Sequence, residues 1–303
     1  MASTDSPTRT FGTLLTAMVT PFTTDGEVDY DAAGNLAAKL VDDGCDGLVV
    51  TGTTGETSTL TDEENLGMFK AVLEAVGGRA KVIAGTGTND TRHSVNLSRR
   101  AAELGVDGLL LVTPYYNKPS QEGVQAHFEA IASATDLPVM LYDIPGRSAI
   151  PIATETIFRL AEHPNIKGLK DAKADFGGLT RVLAATDLAV YSGDDGLTLP
   201  WMAAGALGVV SVTAHVATEQ FRSLVDSALA GDFAAARRIH FELDPVIRGV
   251  MTRVQGAVAA KQILKWQGVL PNSVVRLPLV EPGDAELTLI RNDLGEAGMD
   301  FAA

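Results

Sequence analysis

Lys170 is the residue whose type and position point most directly to covalent chemistry. It ends the apolar run Ile166–Lys170, which predicts a buried strand. A lysine held among apolar groups loses hydration, which lowers its pKa, and the neutral amine can attack a ketone to form an imine. A strand-end lysine paired with a carboxylate such as Asp171 explains the same position equally well, so position alone leaves both interpretations open.

Three further features suit the chemistry of an anionic carbonyl compound. Tyr142 ends another apolar run, and its phenol could move protons beside an amine, although a packed aromatic is the commoner role. The segment Gly52–Glu56 combines two glycines with two hydroxyls, so its amides suit either a carboxylate or a tight turn. Arg147 follows a Pro-Gly turn and suits bidentate binding of a second carboxylate, or else is solvated at the surface.

The charge and the remaining motifs argue against several classes of function. The chain has 303 residues and a formal net charge of -14, which disfavours nucleic acid as a partner because phosphates require a basic surface. Its five histidines form no His-x-His or His-Glu-x-x-His pattern, so a zinc-dependent aldolase is disfavoured and no metal site is expected. No Gly-x-Ser-x-Gly elbow, P-loop or complete dinucleotide fingerprint occurs, and no cofactor is expected.

Location and membrane association are predicted from three features. The single cysteine, Cys45, allows no internal disulfide and fits a reducing, cytoplasmic compartment. The first ten residues are polar and lack the apolar segment of a secretory signal peptide. Residues 196–218 contain no Asp, Glu, Lys or Arg, but Pro200 and the following glycines predict a short helix and then a buried strand rather than a membrane span.

Eight short apolar runs alternate with segments of helical periodicity. Each run is rich in Val, Leu or Ile without polar alternation, which is typical of parallel strands covered on both faces. The runs are Leu14–Thr20, Gly47–Thr51, Lys81–Gly85, Gly108–Thr113, Val139–Asp143, Ile166–Lys170, Ala189–Ser192 and Gly208–Thr213. A weak repeat supports such units, because residues 44–50 resemble residues 105–111. We therefore expect an α/β fold, a (β/α)₈ TIM barrel with additional C-terminal helices.

The expected domain organisation is a single barrel with flanking segments. Residues 1–12 are predicted to form a disordered or extended N-terminus, and residues 13–230 the catalytic barrel. Residues 231–303 have helical periodicity and no strand candidate, so they are predicted to form a helical extension packed on the barrel. In such barrels the functional side chains lie at the carboxyl ends of the strands and in the loops that follow. All the candidate residues named above fall at such positions.

Five motifs, in this order along the chain, resemble the dihydrodipicolinate synthase family of class I pyruvate aldolases. The resemblance begins near Leu15 and extends through the eighth predicted strand. The motifs are Gly52–Glu56, Thr113–Asn117, Tyr142–Arg147, Gly168–Ala172 and Ser192–Asp195. The resemblance implies that pyruvate condenses with Lys170, loses a proton to give an enamine, and attacks the aldehyde of L-aspartate 4-semialdehyde. The product then cyclises to 4-hydroxy-tetrahydrodipicolinate, on the route to diaminopimelate and lysine.

The same resemblance assigns catalytic roles and an assembly. Lys170 matches the family's imine-forming lysine, and Tyr142, Thr53 and Tyr116 match its proton relay. The tyrosine that matches Tyr116 reaches in from a neighbouring subunit, which implies that a dimer is needed for full activity. Family members are commonly homotetramers made of two tight dimers, so a homo-oligomer of that kind is expected.

Substrate-binding residues are also implied. Thr54 would hold the pyruvate carboxylate, Arg147 would hold the semialdehyde carboxylate, and Gly193 and Val210 would line the pocket through backbone groups. The main alternative is another class I pyruvate aldolase, of the 2-keto-3-deoxy sugar acid or sialic acid lyase type, in which an arginine at this position is uncommon. A catalytically retired barrel acting as a binding or regulatory protein is the alternative of another class, and the intact residue set disfavours it.

The sequence departs from lysine-inhibited bacterial members at three positions. Asp62 and Asn65 stand where those members have histidines, and His93 stands where they have a glutamate, whereas Asn89 and Tyr115 match. We therefore hypothesise weak or absent feedback inhibition by lysine.

Overall fold

Eight parallel strands close into a barrel in which each strand pairs with the next along the chain and the last pairs with the first. The computed structural model describes residues 10–301. The strands are β1 Leu14–Ala17, β2 Gly47–Val50, β3 Lys81–Gly85, β4 Gly108–Val112, β5 Val139–Asp143, β6 Ile166–Asp171, β7 Ala189–Ser192 and β8 Gly208–Ser211. The predicted (β/α)₈ fold is confirmed.

Several strands are shorter than the apolar runs that predict them, because they end before the last residues of the run. Thr51 has left the sheet with a φ of 51°, and the Thr113 hydroxyl donates a 3.0 Å hydrogen bond to the Tyr142 carbonyl. The carboxyl-terminal residues of these runs form the mouth of the barrel rather than the ladder. β6 differs in the opposite sense, because it continues to Asp171.

Helices follow the strands and cover the outside of the barrel. They are α1 Tyr30–Asp42, α2 Asp62–Val76, α3 Thr91–Leu104, α4 Gln121–Ala132, α5 Pro145–Ser148, α6 Thr154–Ala161, α7 Phe176–Ala185, α8 Thr198–Ala204, α9 Ala214–Leu229, α10 Phe233–Met251, α11 Gly256–Trp266 and α12 Asp284–Glu296. Thr61 and Glu64 form a capping box that fixes the start of α2. Leu36 and Leu40, one turn apart on α1, are fully buried against the barrel, as their spacing indicates.

Phe11 closes the amino-terminal end of the barrel from inside. It is fully buried, and its ring meets that of Tyr191 edge to face with centroids 6.4 Å apart. Gly108 and Gly168 make room for it, since a Cβ at either position would come within about 3 Å of the Phe11 ring. Residues 1–9 of the N-terminal segment lie outside the described residues. Thr10 and Phe11 have helical backbone, which differs from the disordered or extended conformation expected for residues 1–12, and the apolar Phe11 ring fills the end of the barrel.

The helices after residue 230 continue from the barrel without a strand among the described residues. α12 packs on α10, while α11 contacts α9, α10 and the loop that follows β2. Nine of the eleven residues of α11 are buried, so it lies between the barrel and the outer helices. The uncharged stretch at residues 196–218 forms α8, β8 and the start of α9, as predicted. Within residues 10–301, no helix is long and apolar enough to span a bilayer.

Candidate active site

Lys170 points into the barrel from the carboxyl end of β6. Its relative exposure is 4%, and the strand register places it between Tyr142 of β5 and Tyr191 of β7. Its Nζ atom lies 4.2 Å from the centroid of the Tyr142 ring. Burial lowers the pKa of Lys170 to about 8; the charge of Asp195 opposes this shift and that of Arg147 adds to it. An appreciable fraction of the amine is therefore neutral near physiological pH.

Tyr142 is buried beside this amine with its hydroxyl protonated. Burial raises its pKa to about 12, while the positive charge of Arg147 and a hydrogen bond with the Thr53 side chain act in the opposite direction. A phenol in this state can donate a proton to an atom bound at Lys170 and receive it back through Thr53.

The turn Thr53–Gly55 brings two hydroxyls to the mouth of the barrel directly after β2. It is one turn of 3₁₀ helix, and Thr54 is buried within it. The Thr20 hydroxyl holds the turn by donating a 2.7 Å hydrogen bond to the Gly55 carbonyl. Glu56, which is also buried, ends the turn with a left-handed φ of 57°.

A cavity of about 280 Å³ opens at the carboxyl end of the barrel. Its wall includes Thr53, Tyr142 and Arg147, together with Tyr115 from the loop after β4. Lys170 does not line this wall itself but lies against the ring of Tyr142, which does. The volume lies at the lower end of the range for ligand pockets, which suits small metabolites.

Arg147 lies in the one-turn helix α5 and supplies a guanidinium to the cavity wall. An ion pair between Asp143 and Lys173 fixes the start of this loop. Asp143 is fully buried, accepts a 3.1 Å hydrogen bond from the Ile152 amide and lies 3.2 Å from Lys173 Nζ. Burial raises the pKa of Asp143 to about 6 despite the opposing charge of Lys173. The Arg147 loop is thus anchored independently of the turn after β2.

Gly193 lies beside the stem of Lys170, and neither Gly193 nor Val210 is part of the wall of the 280 Å³ cavity, so their expected role in lining the pocket stays a prediction. A Cβ on Gly193 would come within 3.0 Å of Lys170 Cγ and 2.9 Å of Ala172 Cβ, so a larger residue would displace the lysine stem. Val210 is buried on β8 and belongs to the same interior cluster as Tyr142.

Asp195 is a charged neighbour of the site that sequence reasoning did not assign. It is buried after β7, and its Oδ2 atom accepts hydrogen bonds of 3.2 Å from Val212 N, 3.0 Å from Thr213 N and 2.9 Å from Thr213 Oγ1. Its Oδ1 atom has no hydrogen-bond partner among the described residues. Asp195 therefore ties the ends of β7 and β8 together while its charge acts on Lys170. In the sequence, the position of Asp195 directly after a predicted strand end was the signal that could have identified it.

Tyr116 is the one catalytic candidate whose side chain is largely exposed in the single chain. Its side chain is 88% exposed, and its backbone is left-handed with a φ of 72°. The neighbouring loop is fixed, since Asn117 Nδ2 donates a 2.9 Å hydrogen bond to the Asn89 carbonyl. The chain thus brings together Lys170, Tyr142 and Thr53 but presents Tyr116 to its surroundings.

The three positions that differ from lysine-inhibited proteins have partners within the chain. His93 Nε2 lies 2.7 Å from Asp62 Oδ1, so these two side chains pair with each other. The Asn65 amide donates to the Thr61 carbonyl at 3.0 Å and its oxygen lies 3.3 Å from the Thr57 hydroxyl.

The chain is similar to known proteins over almost its whole length. Residues 10–296 match the sequence profile of the Dihydrodipicolinate synthetase family. A 4-hydroxy-tetrahydrodipicolinate synthase of Kineococcus radiotolerans is 53% identical over 98% of this chain and 97% of its own length. The 4-hydroxy-tetrahydrodipicolinate synthase 2 of Streptomyces coelicolor is 54% identical over 99% of this chain and 100% of its own.

Solved structures agree with this fold. The crystal structure of the Cyanidioschyzon merolae enzyme with lysine bound has a TM-score of 0.92 and 41% identity, covering 95% of this chain and 99% of that one. Dihydrodipicolinate synthase from Aquifex aeolicus has a TM-score of 0.93 and 38% identity, covering 97% of this chain and 100% of that one. The chain therefore belongs to the dihydrodipicolinate synthetase family.

Proposed function

We infer that the protein condenses pyruvate with L-aspartate 4-semialdehyde through an imine on Lys170 and forms 4-hydroxy-tetrahydrodipicolinate. This is the activity for which its curated relatives are named. The observation that carries the mechanism is the burial of the Lys170 amine against Tyr142, on a barrel mouth that also presents Arg147. The reaction belongs to diaminopimelate and lysine biosynthesis, and we place it in the cytoplasm.

The first half of the reaction uses the lowered pKa of Lys170. Its neutral amine attacks the carbonyl carbon of pyruvate, and Tyr142 donates a proton to the developing hydroxyl. That hydroxyl takes a second proton from the relay and leaves as water, which gives the imine. The two protons lost by the amine nitrogen return to Tyr142 through Thr53, so the relay ends in its starting state. Tyr116 from a second copy of the chain completes this relay towards solvent, while Thr54 holds the pyruvate carboxylate.

The second half joins the two substrates. The imine loses a proton from the pyruvate methyl group, and the resulting enamine forms a carbon–carbon bond with the aldehyde carbon of the semialdehyde. Arg147 binds the carboxylate of that substrate. The semialdehyde amine then attacks the imine carbon, which closes the ring and releases the Lys170 amine. Gly193 and Val210 contribute backbone groups to the pocket that surrounds these steps.

The active assembly that we propose is a homotetramer of tight dimers. The strongest support is Tyr116, an aromatic ring held 88% exposed on an ordered loop beside the cavity. Leu277 and Val280 are further exposed apolar side chains, in the segment between α11 and α12. Such surfaces are typical of subunit contacts.

Covalent trapping tests the mechanism directly. Pyruvate and borohydride are added to the protein, and the modified residue is identified by peptide mapping. We expect the adduct on Lys170 and its loss in Lys170→Ala, along with nearly all turnover. Lys167→Ala is the matched control, because Lys167 is an exposed lysine on the same strand. A wild-type protein that turns over the two substrates without an adduct would overturn the imine mechanism.

A second assay tests the identity of the aldehyde substrate that reacts with the enamine. Turnover is measured with L-aspartate 4-semialdehyde and, separately, with a panel of 2-keto-3-deoxy sugar acids. We expect activity with the semialdehyde, because Arg147 supplies a guanidinium for a carboxylate. Faster turnover of a sugar acid would replace the proposed substrate with one from the neighbouring aldolase class.

A further inference from the structure

Glu56 and Lys261 form an ion pair in the interior of the protein. Their side chains are each 1% exposed, and the Lys261 ammonium donates a hydrogen bond to Glu56 Oε1. The two residues are 205 positions apart in the chain. The pair therefore joins the loop after β2 to a helix of the C-terminal extension.

The Lys261 side chain is held on several sides. It projects from α11, which itself contacts the turn Thr53–Gly55. Its ammonium donates a 2.9 Å hydrogen bond to the Val274 carbonyl and lies 4.1 Å from the centroid of the Phe22 ring. Hydrogen-bond acceptors and an aromatic face thus surround the ammonium.

The second oxygen of Glu56 is also held by the C-terminal region. Its Oε2 atom accepts a 3.0 Å hydrogen bond from the Arg276 amide. The Arg276 side chain donates to the Thr59 carbonyl at 2.9 Å and forms a bidentate pair with Glu64. The segment after α11 therefore contacts the loop after β2 at two places, Glu56 and Thr59, and the start of α2 at Glu64.

Stability alone is a weak explanation for this pair. Removing two charges from water is costly, and apolar residues of similar volume often replace a buried ion pair without loss of stability. Glu56 is moreover a non-glycine residue in the left-handed region, a conformation that persists only where the surroundings determine it strongly. What the pair fixes is the backbone that immediately follows Thr53 and Thr54.

We propose that Glu56 and Lys261 are positioning residues, which hold the turn carrying Thr53 and Thr54 in the geometry that binds pyruvate. The C-terminal extension then acts as the support of the active site through α11. This inference rests on the proposed function, because it assigns Thr54 to the pyruvate carboxylate and Thr53 to the proton relay.

The proposal predicts different effects on the two substrates. Displacement of the turn moves Thr53 and Thr54 together, so binding and activation of pyruvate weaken. The Arg147 loop is anchored separately by Asp143, so the KM for the semialdehyde stays unchanged. A general loss of folded protein would instead lower the apparent kcat and leave the KM values for both substrates unchanged.

The test uses the full-length protein with Glu56→Gln and Lys261→Met combined, which leaves no unpaired charge in the interior. We expect kcat/KM for pyruvate to fall about 10²-fold, the effect of a displacement of roughly 1 Å at a catalytic site. The KM for the semialdehyde is expected to stay within about twofold of wild type. Glu56→Gln alone is the second variant, since Lys261, whose pKa burial lowers to about 8, can release its proton there.

The control breaks another ion pair of the C-terminal extension. Asp293 of α12 pairs with Arg253 of the segment after α10 and also with Arg248 of α10, and Asp293→Asn with Arg253→Met removes the first of these pairs. The control is expected to lower Tm while leaving both KM values unchanged. A folded Glu56→Gln, Lys261→Met variant with wild-type kinetics for pyruvate overturns the positioning role, as does an equal loss for both substrates. Wild-type protein that consumes neither substrate overturns the proposed function itself, and this inference with it.

Discussion

The Nζ atom of Lys170 lies 4.2 Å from the ring centroid of Tyr142, because β5 and β6 place these two residues opposite each other in the ladder. The same burial acts on both groups in opposite directions. It lowers the pKa of the amine to about 8 and raises that of the phenol to about 12. Near neutral pH the site thus holds a partly neutral nucleophile next to a protonated acid.

The first prediction concerns pH. Below pH 8 most Lys170 side chains are ammonium ions, so the rate of imine formation rises with pH and levels off above about pH 8. The measurement is the rate of borohydride-trapped adduct at limiting pyruvate across pH 6 to 10. An inflection near the ordinary lysine value would show that Lys170 is not desolvated as the structure indicates.

Removing the charge of Asp195 tests the assignment of that pH profile to Lys170. Its negative charge stabilises the Lys170 ammonium, so Asp195→Asn removes a stabilising charge and lowers the pKa of Lys170. The inflection in adduct formation therefore moves to lower pH. Asp194→Asn is the comparison, since Asp194 is not among the groups that shift the pKa of Lys170, and its inflection stays in place.

The second prediction separates the role of the Tyr142 hydroxyl from that of its ring. Tyr142→Phe keeps the buried ring and removes the proton donor, so kcat falls about 10²- to 10³-fold while Tm changes little. The matched control is Tyr191→Phe, on the other side of Lys170, whose hydroxyl donates a 2.8 Å hydrogen bond to the Gly12 carbonyl. That variant loses about 1 kcal/mol of stability and keeps its activity. Equal kcat values for the two variants would remove Tyr142 from the relay.

The third prediction concerns Arg147. Arg147→Ala removes the guanidinium from the cavity wall, so the KM for the semialdehyde rises about 10- to 100-fold, as expected for a lost hydrogen bond to a charged group. Adduct formation between pyruvate and Lys170 continues at a comparable rate on the high-pH plateau, whereas near neutral pH it slows because loss of the Arg147 charge raises the pKa of Lys170. Arg181→Ala, which removes an exposed arginine paired with Glu155, is the control and leaves the kinetics unchanged. A selective rise in the pyruvate KM would assign Arg147 to the other substrate.

The barrel could be predicted from the sequence because each buried parallel strand is an apolar run. The register between paired strands could not, since neither Tyr142 nor Lys170 carries information about which residue lies opposite it. The site candidates were found because they follow strand ends, where this architecture collects functional groups. Their distances depend on register, which a single sequence does not contain.

Two buried features gave no usable sequence signal. Phe11 is a single apolar residue in a polar segment, so no periodicity marks it as the residue that fills the barrel end. Lys261 is charged, and charged residues are mostly exposed, yet its side chain is 1% exposed because Glu56 meets it from 205 residues away. Such a partnership becomes visible only when the chain is folded.

The fourth prediction is weak inhibition by lysine. Asp62 and His93 pair with each other at 2.7 Å, so their side chains are engaged within the chain. The Cyanidioschyzon merolae enzyme has been crystallised with lysine bound, so it provides a positive control for lysine binding. We expect this protein to keep most of its activity at about 1 mM lysine, the upper end of common small-ligand affinities for enzymes. A steep inhibition curve at sub-millimolar lysine would refute the hypothesis.

The fifth prediction is that Tyr116 serves the active site of a neighbouring subunit. Tyr116→Phe is expected to lower kcat about 10²-fold by removing a relay hydroxyl. Its ring is 88% exposed in the single chain, so we expect its partner atoms to come from another copy.

Mixing two inactive variants distinguishes a Tyr116 that acts in its own site from one that acts in the neighbouring subunit. A dimer of one Tyr116→Phe subunit and one Lys170→Ala subunit contains one site with both functional groups only if Tyr116 crosses the interface. Unfolding and refolding an equal mixture then restores about a quarter of wild-type activity, from the statistics of a two-fold dimer. No recovery in mixed dimers, with each parent variant correctly assembled by sedimentation, would place Tyr116 in the site of its own chain or in none.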